Sequence, residues 1–188
     1  MRIEHLNKAY DRQTVLRDVS FRLEKGVTCL MAPSGSGKTT LLRILLGLET
    51  ADSGTISDAP SRWGVLFQED RLLEHLNAME NLRFAAGTAL DEHAAQTLLN
   101  RLGLGQEGNK RVKDYSGGMK RRLALARALL VPSDALALDE PFTGLDEENR
   151  VICLRIIAEA AGEKPVLLIT HDPDDAAALN AAVLQLEQ

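Results

Sequence analysis

Val27-Thr28-Cys29-Leu30-Met31-Ala32-Pro33-Ser34-Gly35-Ser36-Gly37-Lys38-Thr39-Thr40-Leu41-Leu42-Arg43-Ile44-Leu45-Leu46 is an apolar run, a turn of small residues and a second apolar run. The first run is β-rich and ends at Pro, Ser and Gly, so it reads as a buried strand entering a loop. The second has no breaker until Gly47, so it reads as a helix. Strand, glycine-rich loop and helix is the context of a phosphate-binding loop. Small residues let backbone N–H groups curl around a dense anion, and the helix N-terminus adds a favourable dipole. Lys38 would reach the β- and γ-phosphates, and the Thr39 hydroxyl would ligate Mg²⁺. Ala32 stands where the pattern carries glycine. Alanine costs about 1 kcal/mol or more in the left-handed region, so strain is expected there without loss of a phosphate ligand.

Outward from this loop, 188 residues are enough for one domain with a sizeable core. A net charge of −5 argues against a nucleic-acid binder. Lys110-Arg111 and Lys120-Arg121-Arg122 are the local basic clusters, and they read as a solvated loop and a solvated helix face. Cys29 and Cys153 lie in apolar runs and have no metal-binding spacing; they read as small core residues in a reducing compartment. No run approaches the ~18 apolar residues of a membrane span, and Met1 to Leu6 alternates rather than forming a signal-peptide core. The chain is therefore expected in the cytosol, with membrane contact through partners.

Short strands are expected at Arg2–Leu6, Val19–Leu23, Thr55–Ile56 and Trp63–Phe67, with a turn at Tyr10-Asp11-Arg12-Gln13. Together they suggest an antiparallel flank on an α/β core. Residues 77–103 read as helical, broken by Gly103-Leu104-Gly105. Ser116-Gly117-Gly118 opens a helix that Pro132 stops. Ala135–Asp139 and Val166–Thr170 are apolar strands, with a helix over about 147–161 between them. Asp174–Asn180 reads as a helix and Val183–Leu186 as a last strand.

Four apolar runs end in reactive residues: at Ser34, Gln68, Asp139-Glu140 and Thr170-His171. Ligands of parallel α/β sheets sit at the C-terminal strand ends. A carboxylate directly after Leu136-Ala137-Leu138 is costly without a partner, so Asp139 is the natural outer ligand of a Mg²⁺ held by Thr39. Glu140 beside it can deprotonate an attacking water. A pair of acids at a helix N-terminus is the bland alternative, and Pro141 weighs against it. His171 and Tyr10 are unremarkable alone. His171 gains weight from facing the same γ-phosphate, and Tyr10 from offering a ring on which a base could stack.

In family order and spacing, these residues resemble the nucleotide-binding subunit of an ABC transporter, and the likeness covers nearly the whole chain. Tyr10 matches the aromatic A-loop, residues 32–39 Walker A, and Gln68 the Q-loop. Tyr115-Ser116-Gly117-Gly118-Met119 matches the signature, with Tyr for Leu and Met for Gln. Residues 136–140 match Walker B, Thr143-Gly144-Leu145-Asp146 the D-loop, and His171 the switch histidine.

The resemblance implies an α/β fold: a P-loop NTPase (RecA-like) core with an antiparallel β subdomain and an inserted α-helical subdomain at about 76–130, all within one domain of residues 1–188. It implies ATP and Mg²⁺. Catalysis falls to Glu140, His171 and Gln68, and the metal to Thr39, Gln68 and Asp139. Nucleotide contacts fall to Tyr10, Ser34, Gly35, Ser36, Gly37, Lys38, Thr39, Thr40, Ser116, Gly117, Gly118 and Asp146. Ser116–Gly118 would complete the site of an opposite subunit, giving a homodimer with two sandwiched ATP molecules. Partners would be integral-membrane permease subunits and a solute-binding protein, at the cytoplasmic face of the membrane. Gln68–Leu73 and the Gly-Gly-Met signature are similar to importers of the nitrate, sulfonate and taurine type. Two rivals are a soluble ABC ATPase acting on nucleic acid, disfavoured by the single cassette and acidic charge, and a module that binds ATP without turnover, disfavoured by the presence of Glu140 and His171.

Overall fold

The computed structural model describes residues 1–11, 13–31, 33, 35–108 and 110–186. Ala32 and Ser34 lie outside the described residues, and with them the expected strain at Ala32. Two sheets form. In β1 (Arg2–Tyr10) Ile3 and Leu6 are buried, and in β2 (Gln13–Arg22) Leu16 and Val19, while polar neighbours face out. The buried residues of each strand stand three apart because the β1–β2 register shifts between Ile3 and Leu6, with His5 at φ +52° and Asp18 at φ +49°, and the sheet keeps one wet face. β4 (Ser53–Ser57) joins them in the order β2-β1-β4. β1 and β2 are longer than expected, and their ends pair Tyr10 with Gln13; Arg12, part of the expected turn, lies outside the described residues.

The second sheet is parallel, with order β5-β6-β7-β3-β8. Its strands are β3 (Gly26–Met31), β5 (Trp63–Leu66), β6 (Ala135–Asp139), β7 (Pro165–Ile169) and β8 (Ala182–Gln185). β6 is buried at every position, as a sheet covered on both faces requires. Period-two geometry then deals its residues to two cores. Leu136, Leu138, Val166 and Leu168 join one core with Leu82, Leu99, Leu123 and Ile157 from the helices. Ala137, Leu167 and Ile169 join the other, with Leu41, Leu42 and Leu45 of α1 (Lys38–Leu45) and with Ile3, Leu6 and Leu16 of the antiparallel sheet. Cys29 and Cys153 are both buried and free, and burial pushes each thiol up to about 11.

The expected helical stretch of residues 77–103 is two helices, α2 (Ala78–Ala86) and α3 (Glu92–Arg101). Asn77 and Glu80 form a reciprocal capping box at the start of α2. Gly87, at φ +58°, ends that helix, and the Asp91 side chain caps α3 by accepting from His93 and Ala94 N–H. α4 (Gly117–Leu130), α5 (Glu147–Ala161) and α6 (Pro173–Ala178) fall where the sequence puts them.

Candidate functional site

In the loop after β3, three bonds between described residues converge on the Pro33 carbonyl. Pro33 C=O accepts from Ser36 Oγ at 2.7 Å, from Ser36 N–H at 3.3 Å and from Lys38 Nζ at 2.8 Å. Gly35 and Gly37 take φ of +81° and +86°. At Gly37 the need for glycine is also steric, since a Cβ would stand 2.7 Å from the Val15 carbonyl oxygen of β2. α1 begins at Lys38 with no acidic residue in its first turn, so its N-terminal dipole is left to attract an anion.

Gly35, Gly37, Lys38, Thr39, Thr40, Gln68, Asp139 and Glu140 line one cleft of about 420 Å³ at the C-terminal ends of β3, β5 and β6. Asp139 ends β6 and is 8 % exposed. Burial, reinforced by the neighbouring Glu140, pushes its carboxyl up, against the opposing charges of Arg121 and Lys38. Glu140 extends the ladder by one bond, its N–H donating to Ile169 C=O at 2.8 Å. Its backbone sits at φ +49°. α5 starts only at Glu147, so Asp139 and Glu140 are not helix-capping acids.

His171 Nδ1 lies 2.9 and 3.0 Å from the two Glu140 carboxylate oxygens. That contact raises the imidazole above its usual range. Behind His171, Thr170 Oγ1 donates to buried Asp175 at 2.9 Å, and Asp175 accepts from Arg150 of α5 at 2.9 and 2.5 Å. Burial raises the Asp175 carboxyl, and the Thr170 and Arg150 bonds oppose it.

Other expected residues stand apart from this cleft. Ser116 caps α4, its Oγ accepting from Met119 N–H at 3.2 Å. Gly118 packs so close to the 143–146 turn that a Cβ would stand 3.1 Å from Gly144 C=O. Asp146 caps α5, accepting from the Asn149 backbone N–H and side-chain amide at 2.9 Å, which lowers its carboxyl. The Tyr10 hydroxyl donates to Glu49, just past the end of α1, and the ring does not line the cleft.

The expectation of a solvated basic face on α4 is overturned. Arg121 is 4 % exposed and Arg122 half-buried. Arg122 donates to Leu102 C=O at 2.6 Å and to Asn149 Oδ1 at 2.5 Å. Arg121 donates to Phe67 C=O, Gln68 C=O, Asp70 Oδ1, Asp139 C=O and Glu140 C=O. A signal was available: Arg121 shares the helical stripe of Ala124, Leu125 and Ala128, all buried.

Residues 16–143 match the family model described as ABC transporter. An aliphatic sulfonates import ATP-binding protein of Rhodococcus jostii is 40 % identical, over 94 % of this chain and 75 % of that protein. A protein of the same description from Paracoccus denitrificans is 37 % identical, over 98 % of this chain and 78 % of that protein. A solved ATP binding subunit of an ABC transporter superposes with a TM-score of 0.87 at 25 % identity, over 99 % of this chain and 85 % of that one. A solved dimeric bacterial ABC transporter cassette shares the fold, with a TM-score of 0.83 at 24 % identity, over 100 % and 96 %. Among the described residues no helix is long and apolar enough to cross a membrane. The chain belongs to the ABC transporter family, as an ATP-binding and ATP-hydrolysing subunit.

Proposed function

We propose that this chain powers import of a small organic anion of the sulfonate class through separate permease subunits. Two copies would sandwich two ATP molecules head to tail at the cytoplasmic face of the membrane. The relatives named above are described as sulfonate import proteins, and a solved cassette of the same fold is described as dimeric. A solute-binding protein would deliver the cargo. Residues 1–188 would act as one domain, with a helical subdomain at about 76–130.

One observation carries the chemistry. Lys38, Thr39, Gln68, Asp139 and Glu140 converge on a single cleft at a helix N-terminus. The Lys38 ammonium and the Gly35–Thr40 backbone would hold the β- and γ-phosphates. The donor set suits Mg²⁺: a Thr39 hydroxyl, a Gln68 amide oxygen and one carboxylate, Asp139, with phosphate oxygens completing the shell. Bound there, Mg²⁺ would neutralise charge on the β- and γ-oxygens. Glu140 would take a proton from water as its oxygen bonds to the γ-phosphorus and the bond to the β-phosphate oxygen breaks. His171, touching Glu140, would hold the carboxylate and face the same phosphate. Ser116, Gly117, Gly118 and Asp146 stand apart from the cleft, as residues serving the opposite copy's nucleotide would. Tyr10 would reach adenine with its exposed ring.

The test is steady-state ATP hydrolysis by the purified chain with Mg²⁺, beside Lys38→Ala and Glu140→Gln. Lys38→Ala should lose nucleotide binding, and Glu140→Gln should bind ATP with only a small residual turnover. Full turnover in either variant would overturn that residue's role.

A further inference from the structure

One guanidinium, on Arg121, touches both segments that would read the γ-phosphate. It donates to Phe67 C=O at 2.7 Å, Gln68 C=O at 3.3 Å and Asp70 Oδ1 at 2.9 Å on the 67–70 segment. It donates to Glu140 C=O through Nε at 3.2 Å and Nη2 at 2.9 Å, and to Asp139 C=O. The side chain is nearly fully buried, and Asp70, with which it forms an ion pair at 2.9 Å, is a quarter exposed. A second arginine of α4, Arg127, holds the same segment through Asp70 C=O at 2.7 Å and Arg71 C=O at 2.6 Å. A planar fork of five N–H donors suits this spread of acceptors; a lysine ammonium has three donors on one atom and cannot reach them all.

The acceptors are unusual ones. Glu140 holds a left-handed backbone at φ +49°, which a non-glycine residue keeps only when its surroundings enforce it. Its N–H is fixed by β7 and its C=O by Arg121, so the peptides on both sides of the residue are held.

We propose that Arg121 is a positioning residue for ATP hydrolysis. It fixes the backbone at Gln68 and at Glu140 in one frame, so that displacement of the 67–70 segment is passed to the Glu140 carboxylate. The inference rests on Glu140 acting as the base. It deepens that reading by naming what aims the base and what links it to a surface segment 70 residues earlier in the chain.

The test compares wild type with Arg121→Lys, Asp70→Asn, Glu140→Gln and the double variant Arg121→Lys/Glu140→Gln. In Arg121→Lys, kcat should fall roughly 10- to 100-fold with the KM for ATP within about twofold, because the base is misaimed while the phosphate loop is intact. Asp70→Asn should lower kcat several-fold, again at constant KM. In the Glu140→Gln background, Arg121→Lys should remove nothing further from the residual rate, since it acts through the group already lost. A merely structural arginine would instead raise KM or lower ATP binding in that background, and that result would overturn the proposal. Unchanged kcat in Arg121→Lys would do the same. Should Arg121→Lys not fold, Asp70→Asn decides alone: a wild-type kcat there rejects the link. Wild-type turnover in Glu140→Gln would strike the base reading itself, whereas loss there with none in Arg121→Lys strikes only the role of Arg121.

Discussion

His171 Nδ1 sits between the two carboxylate oxygens of Glu140, 2.9 Å from one and 3.0 Å from the other. The two residues come from the ends of adjacent parallel strands, β6 and β7, whose register pairs Asp139 with Ile169. Strand adjacency therefore makes the contact, and the left-handed turn at Glu140 lets the side chain reach across.

This contact predicts a titration. The Glu140 carboxylate raises the His171 imidazole, first through the hydrogen bond and then through its charge. A raised folded-state value means that the ion pair's contribution to stability is fully present below the unfolded histidine value. It is lost as pH rises through the folded one. An NMR titration of His171 should show a midpoint above that of a free histidine, and Glu140→Gln should lower it. Asp172 and Asp175 also raise the imidazole, so part of the shift should survive. An unchanged midpoint in Glu140→Gln would mean that the pair does not form in solution.

The two loop glycines should differ in cost. Both hold positive φ, but among the described residues a Cβ on Gly35 meets nothing within 4 Å, whereas one on Gly37 meets Val15 and Leu16 at 2.7 to 2.9 Å. Gly35→Ala should cost about 1 kcal/mol from backbone strain alone. Gly37→Ala should cost about 2 kcal/mol or more, because the Val15 backbone has to move as well. Urea unfolding of the two variants gives the comparison; equal costs would refute the close approach of β2 to the loop.

Asp146 caps α5, and the role proposed for it at the opposite copy's nucleotide can be separated from the cap. Its carboxylate caps α5 through Asn149, so Asp146→Ala should lower Tm by a few degrees. Asp146→Asn keeps a capping oxygen but removes the charge. If the carboxylate also faces the opposite copy's nucleotide, the Asn variant should fold like wild type and turn over ATP more slowly. Full turnover in that variant would leave Asp146 a cap only.

What the sequence made legible was local punctuation. A strand ending in Asp139 or His171 shows as an apolar run followed by a polar residue, and β6 and β7 lie where those runs are. The break between α2 and α3 was marked by Gly87 and Asp91, but the helical spacing on either side masked it. Arg121 was hidden for another reason. Three basic residues in a row look solvated, yet on a helix successive residues point about 100° apart, so the three cannot share one face. Arg121 falls on the buried stripe, and its acceptors lie 18 to 54 positions away, where no local pattern can show them. Tyr10 was legible as a residue but not as a contact, because its partner Glu49 belongs to a different element.

Glu140→Gln should trap an ATP-bound dimer. The amide has nearly the shape of the carboxylate, so the turn at Glu140 and its bonds from Arg121 and to Ile169 should persist. It cannot take a proton from the attacking water, so hydrolysis would stall with the γ-phosphate held by Lys38 of one copy. The Ser116–Gly118 helix end of the other copy would close on the same phosphate. Because the nucleotide bridges the copies, they should stay joined. Size-exclusion chromatography with Mg²⁺ and ATP should give a dimer for the variant and mostly monomer for wild type. Adding Ser116→Arg should return it to monomer, since a long cation would fill the space where the helix end meets phosphate. The control is that Ser116→Arg alone should still bind ATP, because Ser116 does not line its own copy's cleft. A Glu140→Gln chain that binds ATP tightly yet stays monomeric would point instead to a module that holds nucleotide without joining a second copy.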